Sequence, residues 1–255
     1  MPTTMKTISG ILLSAGLTIS ALTTSALAFD DSDKSKIREI IREYLLENPE
    51  LMLEVQQALE LKQRVEREAA ARVALQENKE QIFSSPNQAV IGNPKGDVSV
   101  VEFFDYNCGF CQRAMADMNT LLAGDKNLTF VMKEMPILSE ASVQASQYST
   151  AVYRLFPEQY AEYHNRLLGQ DGLKDGNRAR QLAEDMGMDM ARLDTEASKE
   201  DVFDAFREVN DLANKLGING TPSYVIGDEV LFGALGTDLL REKIDNVRKC
   251  GSTAC

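Results

Sequence analysis

The chain has no tryptophan, one histidine (His164), seven prolines and four cysteines among its 255 residues. A single imidazole excludes every site that needs two, such as the zinc enzymes built on histidine pairs or triads. Four cysteines are too few for a disulfide scaffold but enough for redox chemistry. Basic clusters are also missing: 27 Lys and Arg face 39 Asp and Glu, a formal charge of −12. With no basic block to meet phosphates, a nucleic-acid partner is excluded. At 44% apolar and 26% charged the composition is that of an ordinary globular protein, neither disordered nor a multi-span membrane protein. What is left to ask about is cysteine chemistry.

Residues 1–28 read as a secretory signal. Lys6 precedes an apolar stretch from Ile8 to Ala28, broken only by Gly, Ser and Thr, that ends in Ala26-Leu27-Ala28. A charged start, an apolar middle and a small-residue exit predict cleavage after Ala28 and an exported chain. An uncleaved anchor is the alternative, because the stretch is almost long enough to span a bilayer. Export to a periplasm also places the thiols where disulfides persist.

Glycine is absent between Gly16 and Gly92, and Pro49 is the only proline between Asp30 and Ser85. This stretch is dense in helix formers. Ile37, Ile40, Ile41, Tyr44 and Leu45 recur at helical spacing after the candidate caps Ser32 and Asp33. A second helix is expected from Pro49 to about Ile82, carrying Leu51, Val55, Leu59, Val65, Ala69 and Val73 as a thin apolar stripe. Residues 29–85 are thus predicted to be a helical arm. A stripe this narrow suits self-association better than packing on a globular core, so a homo-oligomer through residues 33–82 is expected. Folding back as a cap is the alternative.

The character changes at Ser84-Ser85-Pro86-Asn87, and residues 86–255 read as one α/β domain. Strands are expected at residues 89–91, 98–104, 128–132, 223–226 and 230–232, and a helix at 113–122. A helical insertion over about 139–216 is broken at Pro157, at Gly169-Gln170-Asp171-Gly172 and at Gly187. Thr237 or Asp238 caps a last helix.

The chemistry concentrates at Cys108-Gly109-Phe110-Cys111, a C-x-x-C motif at a strand-to-helix junction. Residues three apart on a helix share a face, so the two sulfurs can bond without unwinding it. Cys108, at the helix start, meets unpaired amide groups and the positive end of the dipole, which lowers its pKa and exposes a thiolate. Cys111, one turn in, is the expected resolving thiol. A lone C-x-x-C is also half of a zinc site, with Cys250 and Cys255 supplying the rest. For that tail pair a local disulfide is the favoured reading. Thr221-Pro222, directly before a strand, suits a cis peptide bond that exposes backbone for substrate pairing.

Residues 103–111, Phe-Phe-Asp-Tyr-Asn-Cys-Gly-Phe-Cys, residues 220–227, Gly-Thr-Pro-Ser-Tyr-Val-Ile-Gly, and the long insertion resemble the DsbA-like thiol-disulfide oxidoreductases of the thioredoxin superfamily. The likeness runs from about Ala89 to Val247. Residues 37–59, with Tyr44-Leu45-Leu46-Glu47-Asn48-Pro49-Glu50, look like the N-terminal segment of the ScsC branch. The resemblance implies an α/β thioredoxin fold with a DsbA-type helical insertion behind an N-terminal helical arm. It implies Cys108 as nucleophile, Cys111 as resolving cysteine, and Thr221 and Pro222 as substrate-binding residues. Glu102, on the strand before the motif, is then a candidate proton relay, with Lys133 as its partner. No cofactor is implied beyond a redox-active Cys108–Cys111 disulfide. The implied partners are exported proteins bearing cysteines and a membrane redox protein.

Two features depart from the strongly oxidising members. Gly109-Phe110 stands where they carry Pro-His, and Thr221 is more like the isomerases' residue than the oxidase's Val. Isomerase or reductase is therefore the favoured direction, with net disulfide oxidase as the alternative. A copper- or zinc-binding thiol protein without turnover is the rival from another class. His164 is expected at the surface or half-buried, and the ten methionines mostly as helical core fillers.

Overall fold

A computed structural model of the chain describes residues 30–255; the expected signal segment 1–28 lies outside the described residues. The chain divides into two units, one ending at Ala58 and one running from Leu59 to Cys255. The first holds α1 (Asp31–Glu47) and the start of α2 (Glu50–Glu77). The cap of α1 is Asp30, whose carboxylate accepts from the Asp33 amide, rather than Ser32 or Asp33. Asn48 closes the helix, its backbone amide and its side-chain Nδ2 both donating to the Tyr44 carbonyl.

The expected single helix from Pro49 to Ile82 is two helices, α2 and α3 (Lys79–Phe83), broken at Asn78. The cause is local: the Asn78 side chain donates to the Ala74 carbonyl at 2.8 Å, competing with the backbone ladder. Ile82 of α3 is fully buried. Lys133 donates to the Gln81 carbonyl at 2.6 Å, and Ser85 and Asn87 both donate to the Glu208 carboxylate. The residues after Leu75 therefore belong to the core of the second unit.

That unit is built on a five-stranded sheet of order β1-β3-β2-β4-β5, from β1 (Ala89–Gly92), β2 (Val98–Phe104), β3 (Leu128–Glu134), β4 (Ser223–Ile226) and β5 (Glu229–Phe232). Only β2 and β3 run parallel; the other pairings are antiparallel. Central β2 is apolar on both faces, as a strand covered on both sides must be. Val100 and Phe104 point into a core shared with α4 (Gly109–Gly124), the insertion and α10 (Thr237–Cys250). Val101 and Phe103 point the other way, to Ile82 and the apolar face of α9 (Glu200–Lys215).

The insertion comprises α5 (Glu140–Leu155), α6 (Tyr160–Leu168), α7 (Gly176–Asp185), α8 (Met190–Ala197) and α9. One break, between α8 and α9, falls outside the Pro and Gly signals. Strand β3 runs two residues past its expected end, to Glu134. The tail cysteines form a Cys250–Cys255 disulfide, which leaves them unavailable as ligands in the four-thiolate zinc arrangement. Among the described residues no helix is long and apolar enough to cross a membrane.

Candidate active site

The parallel β2–β3 pair ends beside the C-x-x-C. After Phe104 the chain turns through Asp105, whose fully buried carboxylate accepts amide hydrogens from Asn107 (2.7 Å), Ile137 (2.9 Å) and Leu138 (3.0 Å). An acceptor-only side chain satisfying three backbone donors holds this corner in one conformation. Cys108 is the N-cap of α4, with extended backbone and no side-chain cap of its own. Its sulfur thus sits at the helix N-terminus, and α4 begins at Gly109, four residues earlier than the apolar periodicity indicates.

Cys108 and Cys111 are both free thiols, the first 7% exposed and the second fully buried. The Cys111 thiol hydrogen-bonds to Cys108 Sγ, which holds the Cys108 pKa down at about 5, against an ordinary 9.0. The Thr221 side chain and the Cys111 and Phe110 amides add to this, against the opposing effect of partial burial. Burial acts the other way on Cys111, whose pKa is far above the ordinary thiol value. One sulfur is primed as an anion and the other stored as a thiol.

Across from Cys108, the Thr221–Pro222 peptide bond is cis. The Thr221 carbonyl lies 3.2 Å from Cys108 Sγ and accepts from its thiol form. The Pro222 carbonyl accepts from the Gly233 amide, tying this corner to the end of β5. Thr221 thus meets Cys108, with Pro222 next to it across the cis bond. Phe110 is exposed, with the Arg113 guanidinium stacked 4.2 Å over its ring.

Glu102 lies on the face of β2 that carries Val100 and Phe104 into the cysteine-containing core, and it is 1% exposed. Burial raises its carboxyl pKa to about 8, helped by the charges of Asp117 and Cys108. Its Oε2 has no hydrogen-bond partner, nor does the Tyr224 hydroxyl on the residue opposite it in β4. Lys133 is not its partner. The parallel register sets Lys133 against Phe103, so its side chain enters the opposite core and reaches Gln81. Desolvation lowers the Lys133 pKa to about 8.

His164 is not at the surface. It is 1% exposed, its ring edge-on to Phe104 at 4.9 Å between centroids and stacked on Tyr160. Its Nδ1 lies 3.2 Å from the Tyr106 hydroxyl, which lies 2.6 Å from Ser149 Oγ. Ser149 donates to Glu134 Oε1 at 2.7 Å. Hydrogen bonds thus link His164 Nδ1 through Tyr106 and Ser149 to the Glu134 carboxyl group. Desolvation drops the His164 pKa to about 3 and raises Glu134 to about 8. Glu134 and Ser149 carry no signal in the sequence that singles them out, whereas Asp105, two residues before Asn107, is a recognisable Asx-turn residue.

The family model for the DSBA-like thioredoxin domain matches residues 99–245, and that for the copper resistance protein ScsC N-terminal domain matches residues 33–66. A thioredoxin-like oxidoreductase from Silicibacter pomeroyi DSS-3 is 37% identical, with a TM-score of 0.64 over 68% of this chain and 99% of that one. Proteus mirabilis ScsC in a compact conformation is 26% identical, with a TM-score of 0.63 over 85% of this chain and 99% of that one. Disulfide bond formation protein D of Bacillus subtilis (strain 168) is 24% identical over 183 residues, 65% of this chain and 79% of its own length. A thioredoxin-like fold, a matching family model over more than half the chain and oxidoreductase relatives converge on one conclusion: the chain belongs to the DSBA-like family of thiol-disulfide oxidoreductases.

Proposed function

We propose that this protein is an exported isomerase or reductase of protein disulfides, working through Cys108 and Cys111. The observation that carries this reading is the Cys108 sulfur, held as a thiolate with a pKa of about 5 beside the cis Thr221–Pro222 corner. The Cys108 thiolate attacks one sulfur of a substrate disulfide, forming a mixed disulfide and releasing the other sulfur as thiolate. Cys111 then loses its proton and attacks Cys108 Sγ. The Cys108–Cys111 disulfide forms, the second substrate thiol leaves, and two electrons have passed to the substrate. Because burial holds Cys111 protonated, this step needs a base, and we assign that role to the ionised fraction of the buried Glu102, whose carboxyl pKa of about 8 lets it exchange a proton near neutral pH. In isomerisation the mixed disulfide is instead resolved by another substrate thiol. Thr221 and Pro222 hold the substrate backbone against Cys108.

Gly109 and Phe110 favour isomerase or reductase over net oxidase, because neither supplies a histidine to stabilise the thiolate further. The substrates are exported proteins bearing cysteines, and a membrane redox protein resets the pair. Residues 1–28 are the cleaved signal, so the working compartment is the periplasm, and residues 33–82 join subunits into a homo-oligomer. Several active sites on one particle suit isomerisation, since a trapped substrate can be attacked repeatedly.

The test uses refolding of scrambled ribonuclease and reduction of insulin by the full chain. Cys108→Ala abolishes both. Cys111→Ala retains attack but accumulates a mixed disulfide with substrate, visible on a non-reducing gel. Unchanged activity in Cys108→Ala sinks the assignment.

A further inference from the structure

Two side chains that flank the C-x-x-C grip one segment of the insertion. Just before Cys108, Asn107 accepts the Lys174 amide hydrogen on Oδ1 at 2.8 Å and donates from Nδ2 to the Lys174 carbonyl, also at 2.8 Å. The same Nδ2 lies 3.1 Å from Ser142 Oγ. Just after Cys111, Gln112 Nε2 donates to the Gly169 carbonyl at 3.1 Å. Residues 169–174, the connection between α6 and α7, are therefore tied at both ends to the two edges of the motif. Arg178 braces them from behind, donating to the carbonyls of Asp171 and Leu173.

This attachment is unusual for a segment of that composition. Gly169-Gln170-Asp171-Gly172 has two glycines, Gly172 at φ +77°, and so loses much chain entropy when it is held in one place. The polar grip also keeps an apolar side chain in water: Leu173 is 61% exposed although the adjacent Lys174 is buried. Other large apolar side chains left exposed near the motif are Phe110 within it, and Ile137 and Leu138, whose amides bind Asp105. Exposed apolar side chains gathered about one nucleophile mark a contact surface.

We infer that Asn107 and Gln112 are positioning residues that hold residues 169–174 as one wall of the substrate site. Leu173 then contacts the side chain next to the substrate's cysteine and favours substrates with an apolar residue there. The inference rests on Cys108 being the nucleophile. Asn107 acts through the wall, not on the sulfur, because both of its amide atoms are engaged with Lys174 and Ser142.

The test compares two glutathionylated peptides, identical except for Leu or Ser beside the cysteine, with excess reduced glutathione as the electron donor and with full-length wild type, Asn107→Ala, Leu173→Ser and the double variant. Wild type prefers the Leu peptide in kcat/KM. Asn107→Ala and Leu173→Ser each lower that preference about tenfold, on the scale of one apolar side-chain contact. The double variant loses little more than either single one, since both remove the same contact. In Asn107→Ala the pH midpoint of Cys108 alkylation by iodoacetamide stays at about 5. Leu173→Ser changes only an exposed side chain, so it keeps the test valid if Asn107→Ala folds poorly. A preference unchanged in Leu173→Ser, additive losses, or a shifted alkylation midpoint in Asn107→Ala overturns the inference. No turnover of either peptide by wild type, by contrast, removes the thiol-exchange reading beneath it.

Discussion

Glu102 costs the folded protein stability at alkaline pH. Its carboxyl pKa is raised from 4.5 to about 8 by burial, so the folded state keeps a proton that the unfolded chain releases. Below pH 4.5 both states are protonated and the contribution of folding is whole. As pH climbs from 4.5 through 8 it drains away, because only the unfolded chain ionises freely. Glu102→Gln removes this dependence. In guanidinium unfolding of the reduced protein, the variant should match wild type closely at pH 4 and exceed it by about 2–4 kcal/mol at pH 9. A difference independent of pH would show that Glu102 does not carry the proton. In the sequence Glu102 had only the family resemblance behind it, since a partly exposed carboxylate at a strand edge reads equally well; its burial follows from the face of β2 it shares with Val100 and Phe104. The place of Lys133 was not, because which face a residue enters depends on strand register, and a one-residue difference reverses it. The burial of His164 was hidden for a related reason: its neighbours Phe104, Tyr106 and Ser149 come from other elements, far away in sequence.

At the level of elements, the order and place of the strands and of the C-x-x-C helix follow from local signals, apolar runs and punctuating Gly and Pro, while the last two residues of β3 and the first turn of α4 lie outside the apolar pattern. The break at Asn78 escapes those signals, since a single Asn within a run of strong helix formers ends a helix only when its side chain captures a carbonyl. The α8–α9 break at Ser198-Lys199 likewise lacks Gly or Pro. The arm gives a sharper test. Ile40 and Leu59 are exposed in the single chain, 63% and 53%, so charges placed there leave the core alone. If residues 33–82 join subunits, Ile40→Glu with Leu59→Glu reduces the particle mass in light scattering to that of one chain. A wild-type particle of single-chain mass, or an unchanged variant, rules the oligomer out.

For the molecule as a whole, the chain closes on its own sheet at the tail. Asp228, in the β4–β5 turn, accepts from the Thr253 amide and hydroxyl and from Ser252, and Asn246 donates to the Thr253 carbonyl. The Cys250–Cys255 bond holds this loop shut. Replacing both cysteines by Ser should lower stability by about 1–2 kcal/mol, the entropy of a short closed loop, and leave insulin reduction intact. An unchanged melting temperature would mean that the hydrogen bonds to Asp228 suffice alone. The site itself stands on β2 and β4, which pair directly through Phe103 and Ser223. The scarcity noted in the composition has a practical side. A chain with no indole offers no tryptophan fluorescence, but its solitary imidazole is wired through Tyr106 to the turn that carries Cys108. With its pKa held down at about 3, that ring stays neutral across the ordinary pH range, so its proton NMR signals should not titrate there and should move only when the Tyr106 hydroxyl does.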